Sequence, residues 1–141
     1  MKEYIVSYEL AKKLKDKGFI GECFANYDIR KNFGFNIRIA KCRDEITNVD
    51  DFLFSYNQYH QTCIDAPTIS QVVSWLRTDK HLHIEAISAS YGYLYIISRT
   101  PDKGGADLHC SEHEGPNDGG AWDNVKDCYV AAIEYCLNEL I

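Results

Sequence analysis

The spacing of hydrophobic residues along this chain predicts three helices. The first lies between Ser7, which can cap a helix, and Gly18, which can end one, because apolar residues recur between them at helical spacing. Thr68 opens a capping box for a second helix from Ile69 to Asp79. Asp123 is the predicted cap of a third helix, which reaches the C-terminus with a wide apolar stripe. The stripe consists of Val125, Cys128, Tyr129, Ala132, Ile133, Cys136, Leu137 and Leu140.

Alternation of apolar and polar residues predicts strands. It is clearest from Phe33 to Lys41, and it is shorter from Phe52 to Tyr56, which is either a second strand or an aromatic loop. Two β-rich runs, His81 to Ala89 and Tyr91 to Arg99, are joined by Ser90 and predict an antiparallel hairpin. Together these elements predict an α+β fold, with about three helices packed on a mainly antiparallel sheet of three or more strands.

The segment from Thr100 to Ala121 is predicted to be a long loop between the hairpin and the last helix. It contains five of the nine glycines and two of the three prolines. Long loops in compact domains are usually functional or disordered, so we expect a flexible or functional loop at 100–121. The whole chain, residues 1–141, is predicted to be a single domain, since it shows neither an internal repeat nor an interdomain linker.

Composition is that of an ordinary globular protein, with 45% apolar and 26% charged residues. The N-terminus has charges every few residues, and we find neither a signal peptide nor a membrane-length apolar run. We therefore expect a cytoplasmic protein without a membrane partner, whose six cysteines are reduced thiols. These are Cys23, Cys42, Cys63, Cys110, Cys128 and Cys136.

Charge is unevenly distributed around a net value of −6. Residues 1–43 carry ten Lys or Arg against five acidic residues, whereas residues 44–141 carry five against sixteen. A basic arm can bind nucleic acid and an acidic surface can mimic it, but the two parts can also face each other in the fold or in an oligomer. We favour the second interpretation, because the lysines of the first helix scatter around its solvent side and the pI is near 5.3. Nucleic-acid binding is therefore disfavoured.

A metal site is the best chemical alternative. The pairs His60-x-x-Cys63 and Cys110-x-x-His113 would together form the Cys₂His₂ set that structural zinc prefers. The spare candidates are His81, His83 and His109. Six cysteines and five histidines also give many chance pairs, so exposed loop side chains are the competing interpretation. The leading expectation is that there is no cofactor, with zinc as the alternative.

Other sites find less support. We find no phosphate-binding glycine loop, no Gly-x-Ser-x-Gly elbow and no His-Glu-x-x-His helix. Cys63 or Cys110 could be a reactive thiol, but no neighbouring residue specifies a reaction. Carboxylates in the segment from Thr100 to Ala121 could bind calcium, but the spacing from Asp102 to Asp107 does not match an EF-hand loop. We assign no catalytic residue, and the balance favours a non-enzymatic protein.

Several segments resemble a known family. They are Ser7 to Phe19, Ala66 to Thr68 leading to Trp75–Arg77, His83–Ile84, and Ala131 to Ile141. In that order they are similar to small proteins of unassigned function that are common in phages, prophages and conjugative elements of gut Bacteroidetes. The resemblance implies a fold of helix, capped helix, hairpin and helix, and it implies no catalytic or binding residue. The loop from Thr100 to Ala121 departs from the family pattern.

These observations lead to three hypotheses about function. The first is an accessory protein of a mobile element that acts by contact with an unidentified protein partner or with a second copy of itself. The second is a small zinc-binding domain that uses the two Cys/His pairs. The third is a nucleic-acid binder that uses the basic first 43 residues.

Overall fold

A computed structural model describes residues 4–21, 23, 25–28, 36–39 and 63–141 of the chain. Contacts between residues divide it into two compact units, residues 1–68 and residues 69–141, which are described in turn. This division does not test the expectation of a single domain over residues 1–141, which stays a prediction.

In the first unit, a helix packs on an antiparallel sheet. Helix α1 (Tyr8–Asp16) begins at Ser7, whose hydroxyl accepts a hydrogen bond from the Leu10 amide at 3.3 Å. The chain leaves the helix through Gly18 at a φ of 87°, and the apolar side of α1 is buried as predicted. The strands are β1 (Ala25–Asp28), β2 (Asn36–Ile39) and β3 (Cys63–Ala66), in the order β2–β1–β3. Helix α1 packs on β3.

The first sheet buries polar side chains that the sequence analysis did not single out. Asn26 of β1 lies opposite Asp65 of β3, and both residues are almost completely buried. Among the described residues, the Asn26 Oδ1 atom has no hydrogen-bond partner. The neighbouring Tyr27 hydroxyl donates to the Val6 carbonyl at 2.7 Å. The interior of this unit is therefore partly polar.

The second unit is built on an antiparallel sheet with the strand order β4–β5–β6. Strands β4 (Leu82–Ala89) and β5 (Gly92–Arg99) form the predicted hairpin. Strand β6 (Asp107–Cys110) pairs with β5, and a bulge interrupts the register next to Ile97. Strand β6 lies within the segment where the sequence predicted a loop, so the structure departs from the prediction there.

Two helices pack on one face of the second sheet. Helix α2 (Ile69–Asp79) packs on β4 and has its predicted bounds, and helix α3 (Val125–Tyr135) packs on β4, β5 and α2. The cap of α3 is Asn124, whose Oδ1 accepts from the Asp127 amide at 2.9 Å, and not Asp123 as predicted. Asp123 instead accepts a hydrogen bond from Asn117, which explains the shift by one residue. Helix α3 continues into a π-helical turn over Cys136–Leu140.

The sheet face that the helices cover, termed the inner face, forms the core of the second unit. Its strand residues Leu82, Ile84, Tyr95 and Ile97 are buried. The α3 stripe is buried at Cys128, Ala132, Ile133, Cys136 and Leu137, whereas Val125 at its start is 42% exposed. Burying one face of each strand and one stripe of each helix is the layer arrangement of an α+β protein. The predicted α+β class is confirmed.

Two further predictions concern the middle of the chain. Of the strand predicted from Phe33 to Lys41, the structure describes β2 alone, and the run from Phe52 to Tyr56 lies outside the described residues.

No helix in the described part of the chain has the length and apolar character needed to cross a membrane.

Candidate functional site

The glycine-rich segment that follows β6, termed the acidic loop (residues 111–122), has both of its ends fixed to β5. Ser111 is completely buried, its amide donates to the Tyr95 carbonyl at 3.0 Å, and its hydroxyl accepts from the Tyr95 amide at 2.8 Å. At the other end, Trp122 exchanges two backbone hydrogen bonds with Tyr93, at 2.8 and 3.0 Å. A segment whose ends meet at neighbouring points of one strand has the form of an Ω-loop.

One side chain, Asn117, organises the interior of the acidic loop. Its Oδ1 accepts from the amides of Gly119 at 3.0 Å and Ala121 at 2.9 Å. Its Nδ2 donates to the Tyr91 carbonyl at 2.9 Å and to Asp123 Oδ1 at 3.0 Å. An amide side chain can accept hydrogen bonds through its oxygen and donate two through its nitrogen at the same time. Asn117 therefore ties the loop both to itself and to the turn of the β4–β5 hairpin.

Close backbone approach explains two of the glycines in the loop. A Cβ atom added at Gly115 would lie 2.3 Å from the Ala121 carbonyl carbon. One added at Gly119 would lie 2.7 Å from Cδ2 of Tyr91. Both distances are far below van der Waals contact, so a side chain at Gly115 would displace the loop backbone, and one at Gly119 would displace the Tyr91 side chain or the loop. The glycine content that suggested an irregular loop thus belongs to a compact structure.

His109 of β6 joins the acidic loop to helix α3. Its Nε2 lies 2.7 Å from Glu114 Oε2, and its ring stacks on Tyr135 with centroids 3.9 Å apart. Tyr95 and Trp122 continue this aromatic cluster, with ring centroids 5.5 Å apart. Burial, and then the nearby charge of Glu114, raise the pKa of Tyr95 above its usual range, so its hydroxyl stays neutral.

The predicted zinc ligands are placed as follows. Cys110 is exposed at the end of β6, and the His113 side chain is 81% exposed with its Nε2 3.6 Å from Glu112 Oε1. Cys63 lies in β3 of the other unit, and His60 lies outside the described residues. Across residues 4–21, 23, 25–28, 36–39 and 63–141, no group of three or more His, Cys, Asp or Glu could hold a metal ion. The four-residue zinc site stays a prediction.

The spare histidines have other neighbours. His109 pairs with Glu114 as described, and His81 Nδ1 lies 3.5 Å from Asp102 Oδ2. His83 lies opposite Ser98 on the sheet face away from the helices. The Thr100 hydroxyl is the largest influence that lowers the pKa of Asp102, followed by smaller effects that include the charge of His81.

The described cysteines on α3 and its π-helical turn are core residues, as predicted. Burial raises the pKa of Cys128 to about 11 and that of Cys136 to about 12. Burial, followed by the charge of Asp65, also raises the pKa of Cys23 in the first unit. A thiol with a raised pKa stays protonated at neutral pH and is a poor nucleophile. Cys23, Cys110, Cys128 and Cys136 are all free thiols.

The outside of the acidic loop carries negative charge and one large aromatic ring. Its side chains Glu112, Glu114 and Asp118 are exposed, and Tyr91 of the adjoining hairpin turn is 44% exposed. Residues 69–141 as a whole carry eleven acidic residues against five Lys or Arg. The acidic loop itself therefore presents three carboxylate side chains at the surface, with an exposed tyrosine in the adjoining turn.

Comparison of the chain with protein families, with curated proteins and with solved structures finds no match.

Sequence reasoning located this segment and missed the residues that shape it. Ser111 and Asn117 were not singled out, although Asn117-Asp118-Gly119-Gly120 is a strong turn signal. One partner of Asn117 is the carbonyl of Tyr91, which is far from it in the sequence. Turn propensity describes only neighbouring residues, so it cannot predict this hydrogen bond. Within the α+β fold, the acidic loop is thus held in one arrangement by hydrogen bonds that its sequence alone does not indicate.

Proposed function

We propose that this protein is a non-enzymatic protein-interaction module that binds a protein partner through the acidic loop. The observation that carries the proposal is that Asn117 and two close-packed glycines hold the loop in one shape, while Glu112 and Asp118 project into solvent. Binding loses less conformational entropy when the recognition loop is already ordered. Loops presented on a rigid scaffold are where binding residues concentrate.

Charge indicates the chemistry of the partner. Residues 69–141 have more than twice as many acidic as basic residues, so a partner with a basic surface is attracted at long range. The same charge disfavours a second copy of this chain as the occupant of the loop, because like charges would face each other. The resemblance to mobile-element proteins is consistent with an accessory role in which such a partner belongs to the host cell or to the element.

A capture experiment with matched charge variants tests this function. The double variant Glu112→Gln/Asp118→Asn removes two exposed loop charges, and the control Glu9→Gln/Asp16→Asn removes two charges from α1. Wild type and control are expected to retain a common basic protein from host lysate, with a loss of roughly tenfold in the loop variant, since each charge contributes up to about 1 kcal/mol. Equal capture by all three proteins, or turnover of a substrate, would overturn the proposal.

A further inference from the structure

The second sheet has an outer face, opposite the helices, whose composition changes along the strands. Strand register places Ile87 of β4 directly opposite Leu94 of β5, next to the hairpin turn. One step further from the turn, Glu85 lies opposite Ile96, which in turn lies opposite Cys110 of β6. The outer face is thus apolar beside the turn and gains a carboxylate at its β4 edge.

These outer-face residues remain accessible. Ile87 is 37% exposed, Glu85 is exposed, and Leu94 and Ile96 are half-buried. An apolar pair on an exposed sheet face gains free energy when a partner covers it, in proportion to the apolar area removed from water. A single exposed isoleucine is common, so the position of this pair is what matters.

The apolar pair adjoins the acidic loop. The hairpin turn that follows Ile87 ends in Tyr91, whose carbonyl accepts from Asn117 Nδ2 at 2.9 Å and whose ring lies against Gly119. The pair Ile87 and Leu94 and the exposed Tyr91 ring therefore lie at the same end of the sheet as Gly119 of the acidic loop. An apolar centre bordered by charge is the usual composition of a protein-binding surface.

We propose that this end of the sheet is the docking surface for an amphipathic, Lys- or Arg-bearing segment of the partner. The apolar side chains of this segment cover Ile87 and Leu94, and its basic side chains reach the carboxylates of the acidic loop. The inference rests on the proposed function, and it adds both the location and the chemistry of the contact. Charge complementarity selects a basic segment over an acidic one.

Four synthetic peptides of equal length distinguish the contribution of the apolar contacts from that of the charge contacts. One combines leucine with lysine in an amphipathic pattern, one replaces lysine with glutamate, one replaces leucine with serine, and one replaces lysine with serine. Binding is measured by chemical-shift mapping on wild type, on Ile87→Ser, and on the control Ile20→Ser, which removes an exposed isoleucine of the first unit. Both substitutions are at exposed positions, so folded protein is expected in each case, and the amide spectrum verifies it.

The Leu/Lys peptide is expected to bind most tightly and to shift amides of Ile87, Leu94 and the acidic loop. Ile87→Ser should weaken this binding about tenfold while Ile20→Ser leaves it unchanged. Equal binding of the Leu/Glu peptide, or shifts confined to other surfaces, would overturn the docking surface. Self-association abolished by Ile87→Ser would instead identify a second copy as the occupant. Retention of a lysate partner that is insensitive to Ile87→Ser would overturn this inference alone, whereas a wild-type protein that binds neither the Leu/Lys peptide nor any lysate protein would overturn the proposed function as well.

Discussion

The imidazole of His109 lies face to face on the phenol ring of Tyr135, with ring centroids 3.9 Å apart and planes 9° from parallel. The stack joins the edge strand β6 to helix α3, and the contact of His109 Nε2 with Glu114 at 2.7 Å extends it to the acidic loop. Three elements of the second unit thus meet at one side chain.

Replacing His109 is expected to loosen this junction. His109→Ala should lower the free energy of unfolding by about 1–2 kcal/mol, because it removes an aromatic stack and a hydrogen bond. His109→Phe keeps the stack and should lose about half as much. Urea unfolding measures both, with His83→Ala on the outer face as the control. Equal losses for the alanine and phenylalanine variants would show that the stack contributes nothing.

Alanine substitutions at two glycines distinguish the stability cost of a steric clash from that of backbone strain. Gly115→Ala should cost about 3 kcal/mol, because its Cβ would lie 2.3 Å from the backbone of Ala121. At Gly104 there is open space, and Gly104→Ala should cost only about 1 kcal/mol for its φ of 100°. Thermal unfolding of the two variants measures the difference. A larger loss at Gly104 would contradict the packing of the acidic loop.

In the first unit, the Oδ1 atom of Asn26 finds no hydrogen-bond partner among the described residues, so this atom is expected to contribute little to stability. Asn26→Leu is expected to change the free energy of unfolding by less than about 1 kcal/mol, in either direction, since a buried amide oxygen without a partner contributes little. Tyr27→Phe should cost about 1–2 kcal/mol, because it leaves the Val6 carbonyl without its donor. Denaturant unfolding of both variants compares them, and a large loss for Asn26→Leu would mean that the amide has a partner.

Thiol labelling is expected to follow burial. The raised pKa values of Cys128, about 11, and Cys136, about 12, mean that both thiols stay protonated from about pH 7 to 9. Thiolate forms only as the pH approaches those values, so alkylation of native protein should be slow at both sites and fast at exposed Cys110. Mass spectrometry of timed iodoacetamide reactions gives the order. Early labelling of Cys136 would show that the π-helical turn after α3 opens readily.

Zinc content decides between the interaction module and the metal-binding alternative. If His60, Cys63, Cys110 and His113 form a site, purified protein should carry about one equivalent of zinc, and Cys110→Ser should lose it. The interaction proposal expects no stoichiometric metal. Elemental mass spectrometry measures this, with His83→Ala as a control that keeps the four residues. Zinc retained in Cys110→Ser would exclude the Cys₂His₂ set.

Much of the fold could be predicted because its signals are local. Ser7 and Gly18 bound α1, and the capping pattern at Thr68 placed α2 correctly, since caps and helical spacing involve residues within a few positions of one another. The predicted hairpin was correct for the same reason. The cap of the last helix moved from Asp123 to Asn124, because Asn117 engages the Asp123 carboxylate.

The amino-acid composition located the candidate site, but it could not predict which residues contact one another there. The residues that shape it act through partners in other elements or across the loop, and they are Tyr91, His109, Ser111, Glu114, Asn117 and Trp122. The Cys and His pairs that attracted attention by spacing have no described partners that complete a metal site.

By itself, the sequence determined the α+β class, the extents of α1, α2 and the hairpin, and the acidic character of the second half of the chain. These follow from periodicity, caps and counts of charged residues, which need no knowledge of distant contacts. Only the tertiary structure decided that part of the glycine-rich segment becomes strand β6 and that the rest folds around Asn117. It also decided that His109 stacks on Tyr135. Those outcomes depend on which side chains meet after the sheet has formed, and the pairing of distant residues is not written in any local pattern.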